Sequence, residues 1–401
     1  MKNKKKFTEG LTRNVVTLGL VSGLTDISSE MLYPIVPIFL TSVLHAPISV
    51  VGLIEGTAEA TASLLKAAGG RWSDKTSKRK PFLILGYSLS AVSKPLMALA
   101  HTWHFVLFSR FLDRTGKGIR TSARDALLAS SAAKKHWGKA FGLHRAMDTA
   151  GAALGPLIAI FLLNTLHFDY RQVFIIAFAP ALLGVLVLTA MVREQSPAGP
   201  FPEENTASAG PIPPLSPQFR RFLFFYAIFA LGNSSDVFLL LKAKNTGFST
   251  TAVILAYVGY NMVYALAAAP AGRLSDRLGR KKTLAFGFAV FSTVYLGFAI
   301  AETAPAIWFL FALYGFCGAF TEGVAKTAVA DFSESRNRGT AMGFFHGMTG
   351  LLAFAASTAA GLLWSGISPS APFLLGAACA LVSATLIFRW QEKPPVQGAA
   401  I

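Results

Sequence analysis

The sequence predicts an all-α integral membrane protein, with twelve transmembrane helices arranged as two pseudo-symmetric six-helix bundles. Three observations carry that expectation. Of 401 residues, 53% are hydrophobic and only 14% charged, with a mean hydropathy of +0.50; soluble domains carry about 25% charge. Apolar runs of membrane-spanning length recur along the whole chain. Basic residues gather in every second connection between them.

The low charge argues against a soluble enzyme, and the hydrophobicity argues against disorder. A net charge of +17 would suit a nucleic-acid binder if the basic residues shared a water-facing surface. Cys317 and Cys379 both lie in apolar runs and form neither a metal spacing nor a disulfide framework. No metal and no cofactor is expected.

A helix needs about 20 mostly apolar residues to cross the hydrocarbon core. The first span, 14–44, carries Asp26, Glu30, Tyr33 and Pro37 on one face, at i, i+4, i+7 and i+11. The second, 49–69, carries Glu55, Glu59 and Lys66 in the same way. The third covers 82–101. The fourth, 104–127, is interrupted by Arg110, Asp113, Arg114, Lys117, Arg120, Arg124 and Asp125. Hydropathy alone would miss it, but dropping it leaves an odd number of spans and spoils the charge pattern. The fifth, 138–165, carries His144, Arg145 and Asp148; the sixth is 171–192. The seventh, 219–243, holds Asp236, and the eighth and ninth cover 250–271 and 282–301. The tenth, 305–329, holds Glu322 and Lys326; the eleventh is 339–365 with His346, and the twelfth 370–390. Met1–Lys6 is basic, but the apolar stretch after it is too long for a signal peptide.

With the N-terminus inside, the even connections and the two ends hold 25 of the 37 Lys and Arg. The outer connections hold almost none beyond Arg171, Lys242 and Lys244. This is the positive-inside rule. It places both termini in the cytoplasm and the chain in the inner membrane. It also accounts for most of the net charge without nucleic acid, and it implies some attraction to anionic lipid.

The chain reads as a duplication. Residues 193–217 are rich in Pro, Gly, Ser and Ala and form a cytoplasmic linker between bundles at 1–192 and 218–401. GRWSDKTSKRK at Gly70–Lys80 recurs as GRLSDRLGRKK at Gly272–Lys282, and GKAFGLHRAM at Gly138–Met147 recurs as GTAMGFFHGM at Gly339–Met348. Ser28-Ser29-Glu30 recurs as Ser234-Ser235-Asp236. Two similar halves are one known transporter architecture, with the substrate site near the midplane between them.

These motifs resemble the major facilitator superfamily over essentially the whole chain. Its loop signature is G-x-x-x-D-[RK]-x-G-[RK]-[RK]. Gly272, Asp276, Arg277, Gly279, Arg280 and Lys281 match it fully; Gly70, Asp74, Lys75, Lys78 and Arg79 match with Ser77 replacing the second glycine. Arg110, Gly116 and Gly118 fit a second signature, R-x5-G-x-G, on the fourth span. Gly151, Gly155 and Pro156 fit a third, G-x-x-x-G-P, which the family associates with antiporters; Ala159 stands where a later glycine is common. The strings SSEMLYP and GKGIRTSARDA resemble a poorly characterised prokaryotic branch. The resemblance implies a conformational latch in the two loops. There, Asp74 or Asp276 would accept hydrogen bonds from a neighbouring helix N-terminus. It also implies that spans one, four, seven and ten surround a central cavity.

A bare charge at the bilayer centre costs several kcal/mol, so such residues face a partner or a wet cavity. The cavity candidates are Arg110, Asp113, Arg114, Lys117, Arg145, Asp148, Asp236, Glu322 and Lys326. The bland alternative is that they pair with one another, as Glu322 with Lys326 at i,i+4 or Arg145 with Asp148 at i,i+3. Asp113, beside three cations, is expected to be an anchor. Asp26 and Glu30 lack a sequence-local cation and are the candidate proton-coupling groups. Phe224, Phe225, Tyr226 and Phe229 offer apolar surface on the seventh span.

The expected function is a secondary active transporter of a small polar or amphipathic solute, working by alternating access with proton-coupled efflux or antiport. Proton-coupled uptake or exchange of an organic anion or metal chelate is the alternative, favoured by the basic fourth span. An intramembrane enzyme or a non-transporting receptor is more remote: no convergent nucleophile and base, and no output domain, is evident. The chain lacks the G-x-x-x-x-G-K-[ST] phosphate loop, so ATP is not the evident energy source. Its partners are a small-molecule substrate, protons and membrane lipid, and a monomer suffices.

Overall fold

A computed structural model describes residues 12–76, 78–133, 136–194, 215–333 and 338–390. Among them, α1 (Arg13–Leu32) and α2 (Val36–Ser42) make the first span, broken at Tyr33–Ile35 around Pro34. Spans two to six are α3 (Ile48–Thr76), α4 (Lys80–Ala98), α5 (Trp103–Ser130), α6 (Trp137–Asn164) and α7 (Tyr170–Met191). The seventh is also broken, into α8 (Pro217–Gly232) and α9 (Val237–Asn245). Spans eight to twelve are α10 (Thr250–Leu278), α11 (Arg280–Ile300), α12 (Ala304–Asp331), α13 (Arg338–Gly366) and α14 (Ala371–Arg389). No strand occurs among the described residues. Most of the expected linker, at 195–214, lies outside them.

Local chemistry sets the helix ends. The side chains of Thr12, Ser216 and Ser249 each accept a first-turn backbone N–H, and Asp169 forms a capping box with Gln172. Gly279 turns α10 into α11 at φ +88°, a backbone region that side chains with a Cβ resist. Ten of the twelve spans are long and apolar enough to cross a membrane by composition alone. The exceptions are α4 and α5. The fourth span nevertheless forms one 28-residue helix, because Arg110, Asp113, Arg114 and Arg120 are buried against its neighbours rather than presented to lipid.

The packing repeats. In the first half α1 packs on α6 and α7, α5 on α3 and α4, and α4 on α7. Shifted by six spans, the second half makes the same set: α8 on α13 and α14, α12 on α10 and α11, α11 on α14. Between halves, α3 packs on α13 and α6 on α10, again a symmetric pair. The duplication extends to the two broken spans but not to the shared tripeptide. Ser28–Glu30 is helical and precedes its break, whereas Ser234–Asp236 is the break itself.

Call the face where α1 begins and α14 ends the terminal face. The main apolar core runs through the second half and joins the first at the opposite, far face, through residues such as Phe39, Val51, Leu162 and Phe174. On the terminal face the first half keeps a separate core, with Val15, Leu83, Leu127, Ala140 and Leu188. Polar bridges between the halves also lie toward the far face: Asn164 to Thr251 at 2.9 Å, Tyr170 to Thr250 at 3.2 Å, and the Ser49 N–H to Ser365 Oγ at 3.1 Å.

Candidate functional site

The charged face of α5 is mostly neutralised by its neighbours. Lys94 Nζ on α4 donates to Asp113 Oδ1 at 2.8 Å and to Ser29 Oγ at 3.3 Å. Arg110 Nη2 reaches both oxygens of Glu55 on α3 at 2.7 Å. Arg114 lies 3.7 Å from Glu59, and the Arg120 guanidinium stacks 4.6 Å over the Tyr87 ring while donating to Ser90. Arg110, Asp113 and Arg114 were cavity candidates. The structure makes Arg110 and Asp113 buried anchors, and Arg114 a bridge to half-open Glu59. Asp113 was expected to lean on cations of its own helix; its partner is Lys94, a residue the span reading passed over. Lysine inside an apolar run with two serines nearby was the available signal.

Lys117 continues the same helix but is exposed, with no ion pair or side-chain hydrogen bond among the described residues. The carboxylates in its neighbourhood are Asp26, Glu30 and Glu59. Span one reaches this wall because α6 presses directly on it. A Cβ on Gly151 would stand 2.5 Å from the Gly23 carbonyl, and one on Gly155 would stand 2.6 Å from the Ile27 carbonyl and 2.9 Å from Glu30 Cβ. The glycines of the fifth-span motif thus seat the turn that carries Asp26 and Glu30. Pro156 follows inside the same helix.

Glu30 is bound across the halves: Tyr257 on α10 donates its hydroxyl to Glu30 Oε2 at 2.5 Å, and the Tyr33 and Tyr257 rings meet at 5.2 Å. Asp236, at the break of span seven, accepts from Tyr260 at 2.7 Å and from Tyr314 at 2.5 Å. Toward the terminal face the wall is more open. Glu322 and Lys326 are both exposed and do not pair within 4.0 Å; the Glu322 contact is Tyr264, at 3.4 Å. Arg145 is exposed as well. The expected Arg145–Asp148 pair is not formed: Asp148 sits 3.5 Å from His144 Nδ1, one full turn away, where the i,i+4 direction points both side chains inward. A cleft of about 180 Å³ between the halves is lined by Glu59, Ser63, Tyr226, Asn233, Thr349 and Gly350. Phe229 packs in the second-half aromatic core instead, and Phe224 is exposed outward.

In the second-half loop, Asp276 pairs with Arg280 at 2.6 Å, and Arg280 Nε reaches Asp331 at the end of α12 at 2.9 Å. The Asp276 partner is therefore a guanidinium, where a helix N-terminus was expected. Gly272 and exposed Arg277 flank this network without side-chain partners among the described residues. In the first-half loop, Arg79 Nη1 donates to the Ala126 carbonyl at 2.9 Å and to Ser130 Oγ at 3.2 Å, tying the loop to the end of α5. The side chains of Asp74 and Lys75, and the surroundings of Gly70, lie outside the described residues.

Three comparisons bear on this arrangement. The Major Facilitator Superfamily profile matches residues 18–242 and 222–400. An uncharacterized MFS-type transporter of Methanocaldococcus jannaschii is 38% identical, covering 94% of each chain. Multidrug resistance protein MdtH of Aeromonas hydrophila is 24% identical over 83% of this chain and 84% of its own. Among solved structures, the nucleoside transporter NupG superposes with a TM-score of 0.75 at 15% identity, covering 95% and 100% of the two chains. Twelve spans in two repeated halves, with paired loop motifs and profile matches to both halves, lead to one conclusion: the chain belongs to the major facilitator superfamily.

Proposed function

We propose that the chain exchanges protons for a small polar or amphipathic solute by alternating access, with net efflux across the inner membrane. The carrying observation is Glu30. It is a carboxylate inside a span, with no cation within 4.0 Å among the described residues, hydrogen-bonded by a residue of the opposite half. Rocking that opens the far face must break the Tyr257–Glu30 bond. Protonation of Glu30 and the state of the gate are then one linked equilibrium. The positive-inside pattern supports assigning the terminal face to the cytoplasm. The joined far face and separate terminal-face cores then correspond to a state open to the cytoplasm. The family's antiporter glycines, seated against Glu30, and the likeness to MdtH support the efflux direction.

A second reading is proton-coupled uptake or exchange of an organic anion or metal chelate. It is favoured by the exposed Lys117, Lys326 and Arg145 along the wall. In both readings the chain works as a monomer, and neither uses a cofactor.

The test uses purified protein in liposomes with a trapped pH dye, challenged with organic acids, amines, amphipathic drugs and metal chelates. Solute-dependent proton flux is expected, outward-directed solute driving protons inward for efflux and co-directional movement for uptake. Glu30→Gln is expected to abolish gradient-driven flux while leaving solute exchange. Gradient dependence unchanged in Glu30→Gln would remove Glu30 from the coupling role, and product formation without flux would favour an enzyme.

A further inference from the structure

Carboxylates inside the spans divide into two groups. Glu55, Glu59, Asp113, Asp125 and Asp148 each have an Arg, Lys or His nitrogen within 4.0 Å. Asp26, Glu30, Asp236 and Glu322 have none among the described residues. Of these four, Asp236 has the most complete set of neutral donors, the hydroxyls of Tyr260 and Tyr314.

We propose that Asp236 is a second proton-binding site, carried entirely by the second half. The inference rests on the proton-coupled reading above and adds a site to it.

The surroundings select the ligand. The groups facing Asp236 are Tyr33 of the first span, Glu55 and Glu59 of α3, Tyr257 and Tyr260 of α10, Tyr295 of α11, and Tyr314 of α12. None is a cation. A carboxylate out of water with no countercharge must acquire one or be neutralised. An organic cation would need open ring faces, but Tyr260 meets Tyr257 and Tyr314 edge-on at 5.3 and 5.4 Å, so the rings cover each other. A metal ion would need several converging oxygen or nitrogen ligands, and no group of three or more His, Cys, Asp or Glu converges among the described residues. Both phenols also turn hydrogens, not lone pairs, toward the site. A proton needs no further ligand. Neutral phenol donors temper the cost of the charged form without pinning it, as Lys94 pins Asp113 and Arg110 pins Glu55.

The two unpaired sites also differ mechanically. The Glu30 donor lies across the interface, so gate movement changes its environment. The Asp236 donors are on α10 and α12, and its break is held by the Ser235 N–H to Ser357 Oγ of α13 at 3.1 Å. All of these belong to the second half. Asp236 therefore keeps its hydrogen bonds as that half rocks, while its exposure and its distance from Tyr33, Glu55 and Glu59 of the first half alternate.

The proton is the ligand, so no solute is needed for the test. Infrared difference spectra of the purified full-length protein, titrated with pH in lipid, report carboxylic C=O bands of protonated side chains. Asp236→Asn is expected to remove one titrating band and Glu30→Gln another, with the double variant lacking both. Asn offers its amide oxygen to the same tyrosines and mimics the protonated acid, so thermal unfolding should be unchanged; Asp236→Glu should restore a band. If the Asn variant does not fold, Tyr260→Phe combined with Tyr314→Phe should move the Asp236 band and its titration midpoint by about one to two pH units. A wild-type spectrum in Asp236→Asn, or an unmoved band in the double Phe variant, overturns the proposal. Loss of a band in Asp236→Asn but not in Glu30→Gln leaves this site standing and instead sinks the Glu30 reading.

Discussion

Replacing Lys94 with Met leaves the Asp113 carboxylate buried with its cation gone. The wild-type pair is 2.8 Å long, and its side chains are only 3% and 10% exposed. At an effective dielectric of about 20 that separation corresponds to roughly 6 kcal/mol of gross attraction. Desolvation cancels much of it in the intact pair, yet removing one partner typically costs about 3–5 kcal/mol because a bare charge remains. Lys94→Met is therefore expected to lower unfolding stability in mixed detergent micelles by about 3–5 kcal/mol. The double variant, Lys94→Met with Asp113→Leu, removes both charges at similar volume and should return to within about 1 kcal/mol of wild type. Its solute affinity should be unchanged, because Asp113 faces α4 rather than the cleft. A stable single variant, or a double variant as weak as the single one, would refute the anchor argument.

Two further outcomes follow from close contacts. Gly155→Val puts side-chain carbon where the Ile27 carbonyl and Glu30 Cβ already stand, so α6 must lift off α1; a loss of about 1–3 kcal/mol is expected, with gradient-driven flux falling more than exchange. Gly142→Ala, with nothing within 4 Å of its added Cβ, is the control and should match wild type in both. Arg280→Gln unties Asp276 from Asp331 at an exposed site, so stability should change by about 1 kcal/mol or less. If the loop is a latch, the variant should still alter transport rate several-fold at low salt and less at high salt; equal rates at both would remove the latch.

The fold was legible because the bilayer imposes length and polarity on each span, and because repeated loop motifs mark the duplication. The fourth span shows the limit of hydropathy and the strength of parity: seven charged residues disguise a helix that buries four of them, Arg110, Asp113, Arg114 and Arg120, against its neighbours. The candidate site was legible only as a set of residue types. Asp26 and Glu30 were separable because no cation is local in sequence, and the structure leaves both without a close ion pair. Partner identity was not legible, since it depends on which helices pack. Lys94 with Asp113 and Tyr257 with Glu30 are 19 and 227 residues apart. Helix-local guesses fared worse. Glu322 and Lys326, at favourable spacing, face open space separately, and Asp148 turns to His144 rather than Arg145.

The distribution of strong and weak contacts has a mechanical consequence. Every ion pair within 4.0 Å among the described residues joins groups of the same half: Lys94–Asp113, Arg110–Glu55, Arg114–Glu59, Arg124–Asp125, His144–Asp148, and Arg280 with Asp276 and Asp331. The hydrogen bonds that join the halves at the far face use a neutral donor: Asn164–Thr251, Tyr170–Thr250, Ser49–Ser365 and Tyr257–Glu30. Separating a buried ion pair would cost about 3–5 kcal/mol each, whereas an ordinary hydrogen bond exchanged for water costs about 1 kcal/mol. The two deeply buried pairs, Lys94–Asp113 and Arg110–Glu55, thus stiffen the first half with bonds that are costly to break, while the far-face interface is held by bonds that water can replace. Of these far-face bonds among the described residues, the one that ends on a carboxylate is Tyr257–Glu30. A hydrogen bond to a charged group is worth about 1.5–3 kcal/mol against about 1 kcal/mol for a neutral one, so under the proposed coupling the charge state of Glu30 changes this contact by about 0.5–2 kcal/mol, comparable to one or two of these polar bridges. The proposed rocking draws on that contrast, and it puts the most informative carboxylate at the boundary between the halves.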